Sequence, residues 1–210
     1  MNPTTPLFIL CLGDSLTEGF GVSREHSYPA LLQRRLIEFE FPHRVINAGI
    51  SGDTTQGVLR RLDPLLRTPI AMAIVTIGLN DAFMGVSMEV IHDTMERIIQ
   101  KLQPRLIPVV LGGLELPSDF PRKKRQEFAA IVPALAERHP IHRIPFFLEG
   151  IFENPRFNQW DNIHPNEAGY RRVLDHAWTI IHPLLHPQTI SPAPPAPGPD
   201  APMATLAQTT

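Results

Sequence analysis

The sequence predicts an α/β sandwich built on a five-stranded parallel sheet. Short apolar runs rich in β-branched residues recur five times along the chain. Segments with apolar residues at helical spacing separate them. Regular alternation of this kind makes βαβ units rather than an antiparallel sheet. Right-handed crossovers then gather the carboxyl ends of the strands on one edge, where open α/β folds bind their ligands.

The first strand is "PLFILCL" (6–12), which runs directly into Gly13-Asp14-Ser15. Gly13 permits a tight turn there. A helix follows, with Ser27 as its cap, Pro29 in its first turn, and Leu31, Leu32, Leu36 and Ile37 as its stripe. "RVINA" (44–48) is the second strand, followed by a helix from Asp53 to Leu66 carrying Val58, Leu59, Leu62, Leu65 and Leu66. "IAMAIVTIG" (70–78) is the third, followed by a helix from Ser87 to Leu102 with Ile91, Met95, Ile98, Ile99 and Leu102. "RLIPVVLGG" (105–113) is the fourth, and the helix after it, Pro121 to Arg138, should kink at Pro133. A weak fifth strand, "HRIPF" (142–146), precedes a last helix from Pro165 to about Ile181. Beyond residue 182 the chain turns rich in Pro and Ala with one charge. Residues 1–186 therefore read as one domain and 187–210 as a disordered tail.

Charge and composition narrow the function. A net charge of −2 gives no electrostatic reason to expect nucleic acid as a partner. No apolar run approaches the ~20 residues of a membrane span. The start "MNPTTPLFIL" lacks both the basic residues and the cleavage site of a signal peptide, which points to the cytoplasm for the sequence as written, with a periplasmic or secreted location the alternative if a leader has been trimmed. The single cysteine, Cys11, rules out an internal disulfide and reads as a small buried hydrophobe. His139 with His142, and His182 with His186, have no matching carboxylate or cysteine in sequence, so no metal site is expected. "RKKR" (122–125) reads as a solvated helix start.

Four segments can carry chemistry. Ser15 ends the first strand, at the ligand-binding edge. The surrounding residues do not form the G-x-S-x-G elbow of α/β-hydrolases, because position 17 is Thr. "NAGISGDTTQG" ends the second strand with Gly52 in a loop able to aim N–H groups into a site; it fits neither G-x-G-x-x-G nor the P-loop. "TIGLNDAF" ends the third with Asn80 and Asp81, both turn formers. Finally, "QWDNIHPNEAGY" places Asp161 three residues before His164, which Pro165 holds extended at a helix entrance. Serine is a weak nucleophile that needs an adjacent base; His164 can be that base and Asp161 can fix its tautomer. The Ser15 and Gly52 N–H groups and the Asn80 amide can donate to an oxyanion. Asp14 and Asp53 read as turn organisers.

Taken together, "GDSLTEG", "ISGDTT", "GLND" and "DNIHP" resemble the four blocks of the SGNH (GDSL) hydrolase family, in the family's order. The resemblance runs from about Leu7 to His182, and "LELPSDFPRKKRQEFAAIVPALA" and "IPFFLEGI" are most similar to its bacterial thioesterase, lysophospholipase and arylesterase branch. It implies a flavodoxin-like three-layer α/β/α fold. The activity it implies is metal-free, cofactor-free hydrolysis of small carboxylic esters or acyl thioesters through an acyl-serine. Ser15, Asp161 and His164 would be catalytic, with Ser15, Gly52 and Asn80 in the oxyanion hole. Leu79 stands where close relatives often carry Gly. Leu79, Phe83, Leu114, Leu116, Phe157 and Ile163 adjoin the motif loops and are candidates for an apolar acyl groove. No stable membrane insertion is implied, and the protein should be a monomer or small homo-oligomer. A carbohydrate O-acetyl esterase, a non-catalytic binding module and a flavin binder are the alternatives on this scaffold.

Overall fold

A computed structural model describes residues 7–185. Its sheet has the strands β1 (Phe8–Gly13), β2 (Arg44–Gly49), β3 (Ile70–Thr76), β4 (Val109–Gly112) and β5 (His142–Ile144). All pairings are parallel, in the order β2-β1-β3-β4-β5. From β1 the chain steps outward to β2, then crosses back to β3 and continues to β5. The winding therefore reverses between β1 and β3, the position where such sheets open a crevice at their carboxyl edge.

Eight α-helices are present among the described residues: α1 (Ser15–Glu18), α2 (Tyr28–Glu38), α3 (Thr55–Leu65), α4 (Leu79–Phe83), α5 (Met88–Leu102), α6 (Arg122–Ala129), α7 (Ile131–Arg138) and α8 (Glu167–Ile181). Two layers cover the sheet: α2 packs with α8, and α5 packs with α3 and α7. β1 is buried from Ile9 to Leu12 and β3 from Met72 to Val75, because each is central and covered on both faces. The stripes expected on the helices face this core: Leu31, Leu32 and Leu36 from α2, and Ile91, Met95, Ile98, Ile99 and Leu102 from α5. Each such side chain contributes roughly 1.5–3 kcal/mol of burial. None of the described helices is long and apolar enough to cross a membrane.

Several boundaries differ from expectation, each for a local reason. The segment 121–138 is two helices joined at Ala130, not one helix kinked at Pro133. Pro133 has no N–H to give the Ala129 carbonyl, and its ring crowds that group, so the break falls one turn upstream. α8 starts at Glu167 rather than Pro165, with Asn166 as its cap through a bond from Gly169 N–H (3.0 Å). Ser27 precedes α2 as expected, but its hydroxyl donates to the Arg24 carbonyl (2.9 Å) instead of capping. β5 is only three residues long, ending before Pro145. The readings of the N-terminal start, of His186 and of the tail 187–210 fall outside the described residues.

Candidate active site

Ser15 is the first residue of α1, directly after β1. The Asp14 carboxylate caps this helix by accepting from Leu16 N–H at 3.0 Å. The Ser15 N–H, at the helix start, has no intrahelical partner. Burial pushes the Asp14 carboxyl up from 3.8 to about 7; its bond to Leu16 N–H opposes the shift, and the negative charges of Asp53 and Asp81 add to it.

His164 reaches Ser15 from the far end of the chain. The loop carrying it is closed by Gln159 N–H to the His164 carbonyl (2.8 Å) and Asn166 N–H to the Phe157 carbonyl (2.8 Å). His164 Nε2 lies 2.8 Å from Ser15 Oγ. On the other side, His164 Nδ1 lies 2.6 Å from Asp161 Oδ2. The second Asp161 oxygen accepts from the Ile163 N–H (3.0 Å) and the His164 N–H (2.9 Å). Partial burial works against ionisation of Asp161, but the bonds from the His164 ring and from the two N–H groups outweigh it and hold the carboxyl below its usual range. An ionised Asp161 accepts the Nδ1 proton, which leaves Nε2 free to accept from the Ser15 hydroxyl. The Phe20 ring lies against the imidazole, centroids 4.7 Å apart.

Two further segments are tied to Gly13 and Asp14, the residues just before Ser15. After β2, residues 50–53 form a turn closed by Asp53 N–H to the Ile50 carbonyl (3.0 Å), and Ile50 N–H ties the turn to the Gly13 carbonyl (3.2 Å). Gly52 occupies its third position at φ 77°, the left-handed region that favours glycine. Asn80 sits in α4, not in an open turn. Its Nδ2 donates to the Asp53 carbonyl at 2.9 Å and makes a longer 3.4 Å contact with Asp14 Oδ2. The glycine turn, the asparagine helix and the serine helix are thus joined by direct hydrogen bonds. Behind them, buried Asp81 accepts from Thr55 N–H (2.9 Å) and Thr55 Oγ1 (2.6 Å), locking α4 onto the start of α3. Arg61 pairs with Asp53 at 2.7 Å and also donates to the Gly13 carbonyl at 3.0 Å.

The residues expected around the substrate divide into two groups. Phe83 and Ile163 line a cleft of about 500 Å³ with Pro117, Phe120, Glu153 and Asp161. Leu79, Leu114 and Leu116 are buried in the core, at 3%, 5% and 2% exposure, and do not line that cleft. Phe157 packs against the core beneath Arg156 and Arg172. Sequence reasoning missed Phe20, the Asp81–Thr55 lock and the Arg61–Asp53 pair. The acid following Asn80 and the threonines following Gly52-Asp53 were the only signals for the lock. Sequence reasoning also gave His139 no carboxylate, whereas Glu96 accepts from it at 2.8 Å. His92, Asp93 and Glu96 do cluster on α5, but Glu96 is already engaged by His139 and by Arg138 (3.3 Å).

Comparison with known proteins gives a consistent result. The family model for GDSL-like lipase/acylhydrolases matches residues 11–172. The chain is 33% identical over 178 residues to Esterase TesA of Pseudomonas aeruginosa, covering 84% of this chain and 89% of that protein. It is 32% identical over 179 residues to thioesterase 1/protease 1/lysophospholipase L1 of Escherichia coli K12, covering 85% of each. A crystal structure of TesA aligns with a TM-score of 0.81 at 32% identity, over 84% of this chain and 99% of that one. The matched span holds Ser15, Gly52, Asn80, Asp161 and His164, and the chain belongs to the GDSL-like lipase/acylhydrolase family.

Proposed function

We propose that the protein hydrolyses carboxylic esters and acyl thioesters through an acyl-enzyme on Ser15. The observation that carries this reading is the unbroken chain from Ser15 Oγ through His164 to Asp161, with contacts of 2.8 Å and 2.6 Å. His164 Nε2 takes the hydroxyl proton as Oγ attacks the carbonyl carbon. Asp161 stabilises the imidazolium and keeps the ring in position. The new oxyanion is met by the Ser15 N–H, the Gly52 N–H and the Asn80 amide, whose second N–H has only the long Asp14 contact to give up. Collapse of the tetrahedral intermediate breaks the bond to the alcohol or thiol, which leaves with the proton from His164. Water then attacks the acyl-serine by the same route, with His164 again taking the proton and returning it to Ser15.

The cleft beside Asp161 supports an acyl chain lying against Phe83, Phe120 and Ile163. The relatives named as an esterase and as a thioesterase/lysophospholipase support both leaving-group classes. The test is a panel of p-nitrophenyl esters from acetate to palmitate run beside acyl-CoA thioesters, with Ser15→Ala as the control. A loss of about 10⁶ in a folded Ser15→Ala protein is the expected result, the scale set by removal of the nucleophile in the serine hydrolase subtilisin. A folded variant keeping more than about a tenth of the rate would overturn the reading.

A further inference from the structure

Glu18 is an exposed residue at the end of α1, and its side chain reaches the glycine turn rather than solvent alone. Its Oε2 accepts from the Ser51 N–H at 2.7 Å and also from the Ser51 hydroxyl. Its own carbonyl accepts from Asn47 Nδ2 at 3.2 Å, and Asn47 in turn accepts from the Gly49 N–H at 3.0 Å. Gly49 has no side chain because the α1 backbone fills that space: a Cβ there would overlap the Glu18 nitrogen. The end of α1 is therefore stapled to the end of β2 and to the turn that follows.

The geometry of the turn shows what the staple controls. Ile50 to Asp53 closes with φ positive at Gly52 and not at Ser51, which is a type II turn. The Gly52 N–H belongs to the central peptide of such a turn. Rotating that peptide by half a revolution turns the N–H to the opposite side while leaving the closing hydrogen bond in place. An added Cβ at Gly52 would meet nothing within 4 Å, so this corner of the turn faces open space and the hydrogen bonds to the turn carry the weight of holding it. Two bonds from one carboxylate oxygen to the backbone and side chain of Ser51 fix the residue on which the rotation hinges.

We propose that Glu18 is a positioning residue, which through Ser51 fixes the central peptide of the turn so that the Gly52 N–H points at the oxyanion beside Ser15. This rests on the hydrolase reading above, since it assigns Gly52 a donor role. None of the hydrogen bonds of Glu18 goes to Ser15 Oγ, His164 or Asp161. Its charge alone would act in the wrong direction, because an anion beside a developing oxyanion raises the barrier. Removing it should therefore speed the reaction if Glu18 does nothing else, and slow it if Glu18 positions the turn.

The experiment measures kcat and KM for p-nitrophenyl butyrate, with melting temperature, in Glu18→Ala, Glu18→Gln, Ser51→Ala and Ser15→Ala. Glu18→Ala should lower kcat by about 10-fold or more, the scale of a misplaced donor, with KM and melting temperature nearly unchanged. Glu18→Gln keeps an acceptor without the charge and should recover most of that loss. Ser51→Ala removes one of the two bonds and should fall between wild type and Glu18→Ala. Wild-type or higher kcat in Glu18→Ala, beside an inactive Ser15→Ala, overturns the positioning role and leaves the hydrolase reading standing. Equal losses in Glu18→Ala and Glu18→Gln also overturn it, since restoring an acceptor for Ser51 would then fail to restore the turn. Activity surviving in Ser15→Ala overturns both.

Discussion

Asp14 shows how much one residue can link here. It caps α1, contacts Asn80, and is 1% exposed beside two other acids. The sequence marked it as a turn organiser, but its environment depends on Asp53 and Asp81, which only the fold brings close. The sign of its effect on stability follows from the shift. The folded carboxyl titrates at about 7 and the unfolded one near 3.8, so between those values the folded state holds a proton that the unfolded state has released. Its contribution therefore favours folding at low pH, weakens as pH rises from about 4 to 7, and is flat above that. The full shift corresponds to a free-energy change on the order of 4 kcal/mol. Asp14→Asn keeps the acceptor for Leu16 N–H and removes the titration. Its urea midpoint should change less between about pH 5 and 8 than that of the wild type. Parallel pH profiles for the two proteins would contradict the assignment. Asp161 works in the opposite sense: its lowered pKa stabilises the fold above the usual carboxylate range and is lost as pH falls through the folded value. Ser15 was legible at a strand end, His164 before a proline, and Asp161 from its place three residues ahead of His164. Glu18 with Ser51, and Thr55 with Asp81, were not, since the partners lie 33 and 26 residues apart and meet only through the fold.

At the scale of elements, the long helices and central strands follow from their periodicity. The short ones do not. α1 and α4 have four and five residues, too few for a 3.6-residue period to appear, yet they carry Ser15 and Asn80. The break at Ala130 falls upstream of Pro133 because proline disturbs the turn before it, whereas α8 starts two residues after Pro165 because Asn166 caps it. What holds α4 in place is Asp81, 2% exposed, with both carboxylate oxygens on Thr55. Asp81→Ala leaves a buried N–H and a buried hydroxyl without their acceptor. It should cost about 1–3 kcal/mol or more by urea denaturation. It should also lower kcat, because Asn80 is the neighbouring residue of the same helical turn. A stable Asp81→Ala enzyme with normal kcat would show that α4 is held by packing alone.

For the whole molecule, the sheet order brings together residues from both ends of the domain: Ser15 follows β1, while His164 follows β5, 149 residues later. The site therefore exists only when the domain is folded, and one internal probe reports on that state. Cys11 lies in β1, fully buried, and burial pushes its thiol up to about 12 against the lowering effect of its bond to Tyr28. It should resist thiol reagents in native protein and react only through global unfolding. Its labelling rate across urea should then follow the same stability as loss of activity. Rapid labelling of native protein would mean that the central strand opens locally.

The central claim, a nucleophilic Ser15 activated by His164, is tested most directly by covalent labelling. The protein is treated with diethyl p-nitrophenyl phosphate, and the label is located by peptide mass spectrometry while activity is followed in the same samples. The account predicts one diethylphosphoryl group per chain, on Ser15, appearing in step with the loss of activity and strongly slowed in His164→Ala. Activity lost with the label on another residue, or retained with Ser15 fully labelled, would contradict it.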